Sequence, residues 1–311
     1  MNSAPLKILV TGSSGFVGKS LLHHIKSHYP VAECRPPSQK LEMRNIESID
    51  AAIHEIQPEW VIHLAAQSFV PQSFIDPHET YQINFIGTLN LLQSLKNHGF
   101  RGRMLYVGSG DQYGLCDAAD LPISENHPLK PRNPYAVSKV AAEMLCYQWS
   151  QTESLDIIMA RPFNHIGPGQ SHRFVVPGFA RQVASIKLGH VPAVIETGNL
   201  KVTRDFTDVR DIVRAYTLLL EAGKAGEIYN VCSGQETWIA DILNAFIEMT
   251  GVTVDIVTNP KLIRANEQQR SCGSASKIYQ HTGWLPAVSL AQSLHDILED
   301  QLNGLANAGL Q

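Results

Sequence analysis

The fold class follows from the stretch Lys7-Ile-Leu-Val-Thr-Gly-Ser-Ser-Gly-Phe-Val-Gly18. Its apolar, β-rich start predicts a strand, its glycines predict a tight turn, and the apolar residues that follow at helical spacing predict a helix. Gly12, Gly15 and Gly18 would let the backbone approach a pyrophosphate closely, with the helix N-terminus facing the anion. We therefore expect a dinucleotide-binding site at the start of the chain.

Short apolar runs alternate with helical patterns through the first half of the chain. The predicted strands cover residues 31–35, 60–64, 103–108 and 157–160, and the predicted helices cover 47–56, 78–97 and 135–150. Strands that alternate with helices are typical of an α/β fold with a doubly wound parallel sheet.

The second half of the chain has a different pattern. Pro and Gly cluster between residues 162 and 178, and they are followed by predicted helices over 175–188 and 209–222 and a strand over 227–231. We expect residues 1–163 to form the dinucleotide-binding domain, with 205–231 returning to it. Residues 164–204 and 232–311 are expected to form a smaller, mostly helical substrate domain.

Composition excludes several classes of protein. The chain has 311 residues, 44% of them hydrophobic, and a net charge of −4, so it lacks the basic surface that nucleic acids require. No apolar run reaches transmembrane length, and the residues before the first strand lack the basic and long apolar regions that are typical of a signal peptide. The five cysteines are widely spaced, and no His pair completes a metal-ligand spacing. We therefore expect a cytoplasmic protein with reduced thiols, no metal and no membrane partner.

Tyr135 and Lys139 form the pattern Tyr-x-x-x-Lys within a predicted helix. Residues four apart lie on the same helix face. A phenol titrates at about pH 10, and a nearby ammonium favours the phenolate and lowers that pKa. The pair is therefore a candidate acid or base.

Ser109 follows the strand over 103–108, and residues just past the carboxyl ends of parallel strands line the ligand crevice. With Thr-Gly-x-x-Gly-Phe-x-Gly18, Ser109-x-x-x-Tyr-Gly114 and the Tyr135–Lys139 pair, the chain resembles the extended short-chain dehydrogenase/reductase family. This resemblance implies a Rossmann domain, a smaller sugar-nucleotide domain and hydride transfer to a ketone. Ser109 would hydrogen-bond to the ketone oxygen, Tyr135 would protonate it, and Lys139 would keep Tyr135 competent and hold the nicotinamide ribose.

The resemblance also implies a cofactor site, with NADPH expected and NADH possible. Arg35 would accommodate a 2′-phosphate, whereas Glu33 would instead serve NAD. Glu42 would lie near the adenine, Asn84 matches the family's structural Asn, and His63 is expected to be a packing residue rather than a base. The full expected set is Gly12, Ser14, Gly15, Phe16, Val17, Gly18, Arg35, Glu42, Leu64, Ala65, Ala66, Asn84, Tyr135 and Lys139.

Two further segments resemble sugar-nucleotide members of the family, Arg161-Pro-Phe-Asn-His-Ile-Gly-Pro-Gly-Gln170 and Arg204-Asp-Phe-Thr-Asp-Val-Arg-Asp211. They imply a diphosphate held by Asn164, Arg204 and Arg264, because bidentate arginine bonds to phosphate are strong. The expected substrate-binding set is Ser68, Ser109, Asp111, Asn164, Arg181, Arg204, Arg264 and Glu267, with Glu267 on the ribose.

From residue 7 to about 298, the chain resembles the GDP-4-keto-6-deoxy-D-mannose reductases, which make GDP-D-rhamnose. The expected substrate is accordingly a GDP-linked 4-keto-6-deoxy sugar. The chain departs from the pattern at Ala265, where a proline is common, and at Ser274, where many relatives have Asp. Both departures concern the nucleotide pocket and not the reaction.

Three alternatives stay open. Reduction on the other face of the same ketone would give GDP-6-deoxy-D-talose. Ala-Ala-Gln-Ser68 suggests a GDP-mannose 4,6-dehydratase, in which Asp111 would replace the dehydratase Glu, although the shorter side chain and the preceding Gly110 argue against that role. A non-catalytic NADP-binding regulator is the third alternative, and the retention of Ser109, Tyr135 and Lys139 argues against it.

A homodimer is the expected assembly. Relatives often dimerise through the two long helices that correspond to residues 80–97 and 135–150, and both are rich in apolar residues here.

Overall fold

The computed structural model describes residues 5–34, 36–38, 40–263 and 268–308. Its strands are β1 (Ile8–Thr11), β2 (Trp60–His63), β3 (Arg103–Val107), β4 (Asp156–Pro162), β5 (Asn164–Ile166), β6 (Val194–Thr197), β7 (Thr203–Asp208), β8 (Ile228–Val231), β9 (Glu236–Trp238) and β10 (Asp255–Thr258). Its α-helices are α1 (Phe16–His28), α2 (Ile46–Ile56), α3 (Val70–Ile75), α4 (Pro77–Tyr81), α5 (Gly87–Asn97), α6 (Pro134–Thr152), α7 (Val175–Lys187), α8 (Val209–Ala222), α9 (Ile239–Thr250), α10 (Ser276–Thr282) and α11 (Leu290–Ala308).

The main sheet is parallel throughout and has the strand order β1-β2-β3-β4-β8. On the side of β1 away from β2, the backbone of Glu33 pairs with Lys7. The chain therefore crosses from one side of β1 to the other between Glu33 and β2. In open parallel sheets, such a switch point opens a crevice at the carboxyl ends of the strands, which here are those of β1 and β2.

The strand predicted over residues 31–35 is wrong in extent. Within the described residues it is reduced to the single bridge at Glu33. Pro30, Pro36 and Pro37 flank it, and proline has no amide hydrogen to donate to a sheet. The other strands and helices predicted for the first half of the chain form close to their expected positions.

Helices cover both faces of the main sheet. Alternate residues of β1 point to opposite sides, so that Ile8 and Val10 pack with α1 and α8, while Leu9 packs with α2, α5 and α6. Burial on both faces explains why each strand is an almost continuous apolar run. It also confirms the α/β fold class.

The second layer of the molecule is built around α7, α9 and α11, which share their own apolar core. Two small sheets border it, β5-β7-β9 and β6-β10, so this part contains more strands than the sequence pattern indicates. Helix α8 packs on α1, and β8 extends the main sheet. The domain boundaries expected from the sequence stay predictions.

Three buried carboxylates of one segment attach the C-terminal part of the chain. They accept hydrogen bonds as follows: Asp205 from the backbone of Ser233, Gly234 and Gly273; Asp208 from the hydroxyl of Ser293; and Asp211 from the backbone of Ala287 and Val288. The segment that follows Arg204 therefore has a structural function, in addition to the diphosphate binding that the sequence predicts for Arg204. Within the described ranges, no helix combines enough length and apolar character to cross a membrane.

Candidate active site

The glycine turn between β1 and α1 is tightly folded. Gly12 has φ +72°, and a Cβ on it would lie 2.8 Å from the backbone nitrogen of Ala65. A Cβ on Gly18 would lie 2.3 Å from the carbonyl oxygen of Gly12. Gly15 caps α1 without a side-chain hydrogen bond, so no cap side chain occupies the first amides of the helix and they can bind an anion.

The loop after β2 lies against this turn. Leu64 and Ala65 provide the backbone atoms nearest to Gly12, and the Ala65 amide donates to the hydroxyl of Thr11 at 3.1 Å. Leu64, Ala65 and Ala66 are each partly buried at the crevice between β1 and β2. The structure therefore brings the glycine turn and the expected Leu64–Ala66 segment together.

Helix α6 carries both Tyr135 and Lys139 on a buried face. The helix begins there because Asn133 accepts a hydrogen bond from the Ala136 amide at 2.7 Å and Pro134 occupies the first turn. The Lys139 ammonium donates to the carbonyl of Val107 at 2.8 Å. Burial lowers the pKa of Lys139 to about 8.

The phenol of Tyr135 is held in its neutral form. Burial raises its pKa above the ordinary value, the nearby carboxylate of Asp111 adds to this effect, and a hydrogen bond with Ser109 opposes it. The expectation that Lys139 sets this pKa by lowering it is wrong for the protein alone, because desolvation dominates. A phenol of raised pKa is protonated at neutral pH, so it carries a proton that it can donate and it cannot act as a base.

Ser109 lies at the carboxyl end of β3 and begins a short 3₁₀ turn, Gly110–Tyr113. The Asp111 amide donates to the Ser109 hydroxyl at 3.2 Å. The Ser109 side chain lies close enough to the Tyr135 phenol to lower its pKa, and Lys139 reaches the end of β3 two residues before Ser109, so the structure brings together the hydroxyl, phenol and ammonium that the sequence predicts. Asp111 is exposed beside them.

A break in helical regularity places Asn84. Between α4 and α5, residues Gln82–Ile86 form a π-helical turn, a feature often found at functional sites. The side-chain nitrogen of the buried Asn84 donates to the Ser138 hydroxyl at 2.9 Å. The side-chain oxygen of Asn84 accepts from the backbone amide of Gln67 at 2.8 Å. Ser138 in turn donates to the carbonyl of Tyr135 at 2.7 Å. Asn84 therefore supports the helix that carries the catalytic candidates.

His63 continues this network towards the glycine turn. Its Nδ1 lies 2.7 Å from the hydroxyl of Thr11 and its Nε2 lies 3.0 Å from that of Thr88. Burial, with a smaller contribution from Lys139, lowers the pKa of His63 to about 3. A neutral ring with both nitrogens occupied fits the expected packing function and not that of a base.

The remaining cofactor candidates are distributed around the turn. Ser14 and Gly15 are exposed, while Phe16 and Val17 are partly buried. The Phe16 ring stacks on His165 with centroids 6.3 Å apart, which connects the turn to β5.

The carboxylate of Glu42 is already paired. It accepts from the side chain of Arg44 at 3.0 Å, and this hydrogen bond lowers the pKa of Glu42. The sequence analysis missed Arg44 as its partner, although the two are only two residues apart.

The substrate candidates are more scattered. Ser68, Asn164 and Arg181 are all exposed. Asn164 lies at the start of β5, and Arg181 lies on α7. Arg204 donates to the carbonyl of Gln268 at 2.8 Å. Arg35, Arg264 and Glu267 lie outside the described residues. Among the described residues, no cluster of three or more His, Cys, Asp or Glu side chains could hold a metal ion.

Comparison with known proteins adds independent information. A family model described as GDP-mannose 4,6 dehydratase matches residues 32–297. A GDP-6-deoxy-D-mannose reductase from Pseudomonas aeruginosa is 46% identical, with 94% of this chain and 96% of that protein covered. A GDP-6-deoxy-D-talose 4-dehydrogenase from Aggregatibacter actinomycetemcomitans is 30% identical, with 89% and 92% covered.

A solved structure described as RMD from Pseudomonas aeruginosa complexed with NADPH superimposes with a TM-score of 0.92 at 45% identity. The match covers 96% of this chain and 99% of that one. The similarity therefore extends over the glycine turn, the catalytic candidates and the C-terminal layer together.

We predict that Gly18→Ala weakens NADPH binding at least tenfold. The added methyl would displace the carbonyl of Gly12, 2.3 Å away, and open the turn. Fluorescence titration with NADPH gives the dissociation constant. The matched control is Gly304→Ala in α11, where a Cβ meets nothing within 4 Å, and binding there should stay unchanged. Equal dissociation constants for the two variants would contradict the proposed place of the pyrophosphate.

Proposed function

This chain belongs to the GDP-mannose 4,6-dehydratase family of extended short-chain dehydrogenases/reductases, and on that premise we propose that it reduces the C4 ketone of GDP-4-keto-6-deoxy-D-mannose to GDP-D-rhamnose with NADPH. The observation that carries the proposal is the neutral, buried phenol of Tyr135 beside Ser109, on the same helix face as the buried Lys139. The similarity to a GDP-6-deoxy-D-mannose reductase over nearly the whole chain supports the choice of substrate.

The described residues fit the cofactor. The glycine turn leaves no room for a side chain at Gly12 or Gly18, and the uncapped start of α1 offers amides to a pyrophosphate. Lys139 extends its ammonium to the carboxyl end of β3, where a nicotinamide ribose would lie. When bound, NADPH supplies the hydride for the ketone carbon. The expected preference for NADPH over NADH agrees with the cofactor bound in the similar solved structure.

The residues of the chain perform the proton chemistry. Tyr135 donates its phenolic proton to the C4 oxygen as negative charge develops there, and Ser109 donates a hydrogen bond to the same oxygen. The ammonium of Lys139 stabilises the phenolate that remains. Because Tyr135 and Lys139 are buried, their interactions act in a medium of lower dielectric constant than water.

The nucleotide part of the substrate needs cationic and amide donors. We propose Asn164, exposed at the start of β5, and Arg204, beside Gln268, as ligands of the diphosphate. Arg264 and Glu267 stay predictions for the nucleotide pocket. Arg181 on α7, and Ser68 and Asp111 near the sugar, also stay predictions. The expected cytoplasmic location is likewise a prediction.

Dehydration of GDP-mannose is the second candidate function. It is favoured by the position of Asp111, whose carboxylate lies near enough to Tyr135 to raise the pKa of the phenol. In that reaction, Asp111 would remove the C5 proton of the sugar. GDP-mannose supplied alone with oxidised cofactor would then give a 4-keto-6-deoxy product, which a reductase would not form.

The proposed reduction is tested by incubating the protein with GDP-4-keto-6-deoxy-D-mannose and NADPH. We expect NADPH consumption and a single product with the rhamno configuration at C4 by NMR. GDP-6-deoxy-D-talose as the product would show reduction on the other face, and no consumption of NADPH would refute the proposal.

We predict that Tyr135→Phe lowers kcat by about two to four orders of magnitude, the usual range for loss of a general acid. NADPH affinity should change little, because the aromatic ring remains. Stopped-flow and steady-state measurements with saturating cofactor provide the test, and fluorescence titration is the control. Near-normal turnover in a variant that binds NADPH would exclude Tyr135 as the proton donor.

We predict that kcat for reduction falls as the pH rises through about 8, the pKa of Lys139. Below that pH the ammonium is charged and stabilises the developing phenolate, and above it this charge is lost. The raised pKa keeps Tyr135 protonated over the same range, so the phenol adds no second limb. The residual activity of Lys139→Met, measured between pH 6 and 9, should lack the alkaline limb. If kcat of Lys139→Met falls over the same pH range as that of the wild type, the fall belongs to the titration of another group.

We also propose a homodimer formed through α6. Three large apolar side chains, Val137, Met144 and Tyr147, are exposed along the outer face of this helix. Their spacing of seven and then three residues places them on one stripe. A second copy of the chain would cover this stripe.

We predict that the double substitution Met144→Asp and Tyr147→Asp converts a dimer into a monomer, because charges would be buried at the interface. Sedimentation velocity measures the change. Met249→Asp on α9 is the matched control, since Met249 and Met144 are similarly exposed at 42% and 44%. A wild-type monomer, or a double variant that stays dimeric, would refute this interface.

A further inference from the structure

The turn that begins at Ser109 is fixed by the side chain of Gln112. The Gln112 oxygen accepts from the Ser109 backbone amide at 2.7 Å, and its nitrogen donates to the Glu143 carboxylate at 3.0 Å. The side chain is fully buried and lies so close to the backbone that a Cβ on Gly108 would be 2.4 Å from its oxygen. Both ends of this amide are therefore occupied, and it has little freedom to move.

Glu143 places the other end of this connection on helix α6. It follows Tyr135 by eight residues and Lys139 by four, so all three side chains lie along one face of the helix. Residues Tyr135 and Glu143 thus stand two turns apart on a single rigid element. Gln112 is therefore held by a hydrogen bond to the same helix that carries the phenol.

The charge of Glu143 is balanced by Arg161 on β4. Two parallel hydrogen bonds join them, Nη2 to Oε1 at 2.6 Å and Nε to Oε2 at 2.9 Å. Arg161 also donates to the hydroxyl of Tyr113 at 2.9 Å. Both charged side chains are almost completely buried, so the pair has a fixed geometry and cannot reorient towards solvent.

These contacts close a circuit that begins and ends at the reacting groups. It runs from the Tyr135 phenol along α6 to Glu143, across to Gln112 and back to Ser109, whose hydroxyl lies beside the phenol. We propose that Gln112, held by Glu143, is a positioning residue that sets the Ser109 hydroxyl against Tyr135. This inference rests on the proposed reduction, and it concerns a residue that touches neither substrate nor cofactor.

The consequence is a specific pattern of kinetic effects. A small displacement of Ser109 would weaken its hydrogen bond to the developing oxyanion, which forms only in the transition state. Loss of Gln112 should therefore lower kcat while leaving the KM for the GDP-sugar and the affinity for NADPH nearly unchanged. A merely structural contribution would instead lower thermal stability and alter these parameters together.

The decisive experiment is a double-mutant cycle between Gln112→Met and Ser109→Ala. Methionine has a similar length and lacks both hydrogen bonds. We expect Gln112→Met to lower kcat about 10- to 100-fold, since misplacement by a fraction of an ångström is costly in catalysis. In the Ser109→Ala background, the same substitution should have no further effect, because Gln112 acts only through Ser109. Effects that multiply would overturn the proposal.

The variant Gln112→Glu provides an independent readout. A protonated carboxyl at this position can donate to Glu143 and accept from the Ser109 amide, as the native amide does. Its ionised form would repel Glu143, and two adjacent carboxylates disfavour double ionisation. The ratio of kcat in Gln112→Glu to wild-type kcat should therefore fall as the pH rises. A ratio that does not change with pH would contradict the positioning role. This test does not depend on Gln112→Met, so it still applies if that variant fails to fold.

The matched control is Tyr113→Phe. It removes a buried hydroxyl that contacts Arg161 and Asn230 in the same cluster but makes no hydrogen bond to Gln112 or Ser109. We expect a lower melting temperature with kcat within about twofold of wild type. If Tyr113→Phe lowers kcat as much as Gln112→Met does, the effect is general loosening of the cluster and the proposal is wrong.

The cycle also separates this inference from the proposed function. If Ser109→Ala alone leaves kcat unchanged, the assigned chemistry of Ser109 fails, and the positioning role fails with it. If Ser109→Ala lowers kcat and Gln112→Met adds its own factor, the chemistry stands and only the positioning role fails.

Discussion

The bidentate ion pair between Glu143 and Arg161 holds the geometry of the active site together. A buried ion pair contributes little net stability, because both ions lose their hydration, but removal of one partner leaves an uncompensated charge and is strongly destabilising. The pair is therefore a constraint more than a source of stability. It fixes α6 against β4, and it fixes the Ser109 turn against α6 through Gln112.

A second network fixes the same helix from the cofactor side. Hydrogen bonds lead from Thr11, at the glycine turn, through His63 and Thr88, whose hydroxyl donates to the carbonyl of Asn84, and the Asn84 amide donates to Ser138 on α6. Its members are neutral, so it can be buried at low cost when every group is paired. Helix α6 is thus held between the turn that would bind the pyrophosphate and the turn that carries Ser109.

The C-terminal layer is joined to this centre by different means. The carboxylates of Asp205, Asp208 and Asp211 each accept hydrogen bonds from segments far along the chain, and Arg204 directly precedes them in the sequence. One short segment therefore aligns the layer that would bind the nucleotide, and it also carries the arginine that we propose as a ligand of the diphosphate. In the proposed function, a few placed groups of this kind would let a protein of net charge −4 bind an anionic substrate.

The strand-turn-helix start, the parallel sheet and the Tyr135–Lys139 pair could all be predicted from the amino-acid sequence, because they depend on contacts between residues close in the chain or on regular periodicity. The protonation state of Tyr135 could not, since its pKa is raised by burial that no local pattern reports. The hydrogen bond from Gln112 to Glu143 could not be predicted either, because it joins residues 31 positions apart. The strand expected at 31–35 is reduced to one bridge, since the prolines that flank it have no backbone amide hydrogen to donate. Desolvation and long-range hydrogen bonding arise from the packed fold as a whole, and they turn a common sequence pattern into an acid with a defined position.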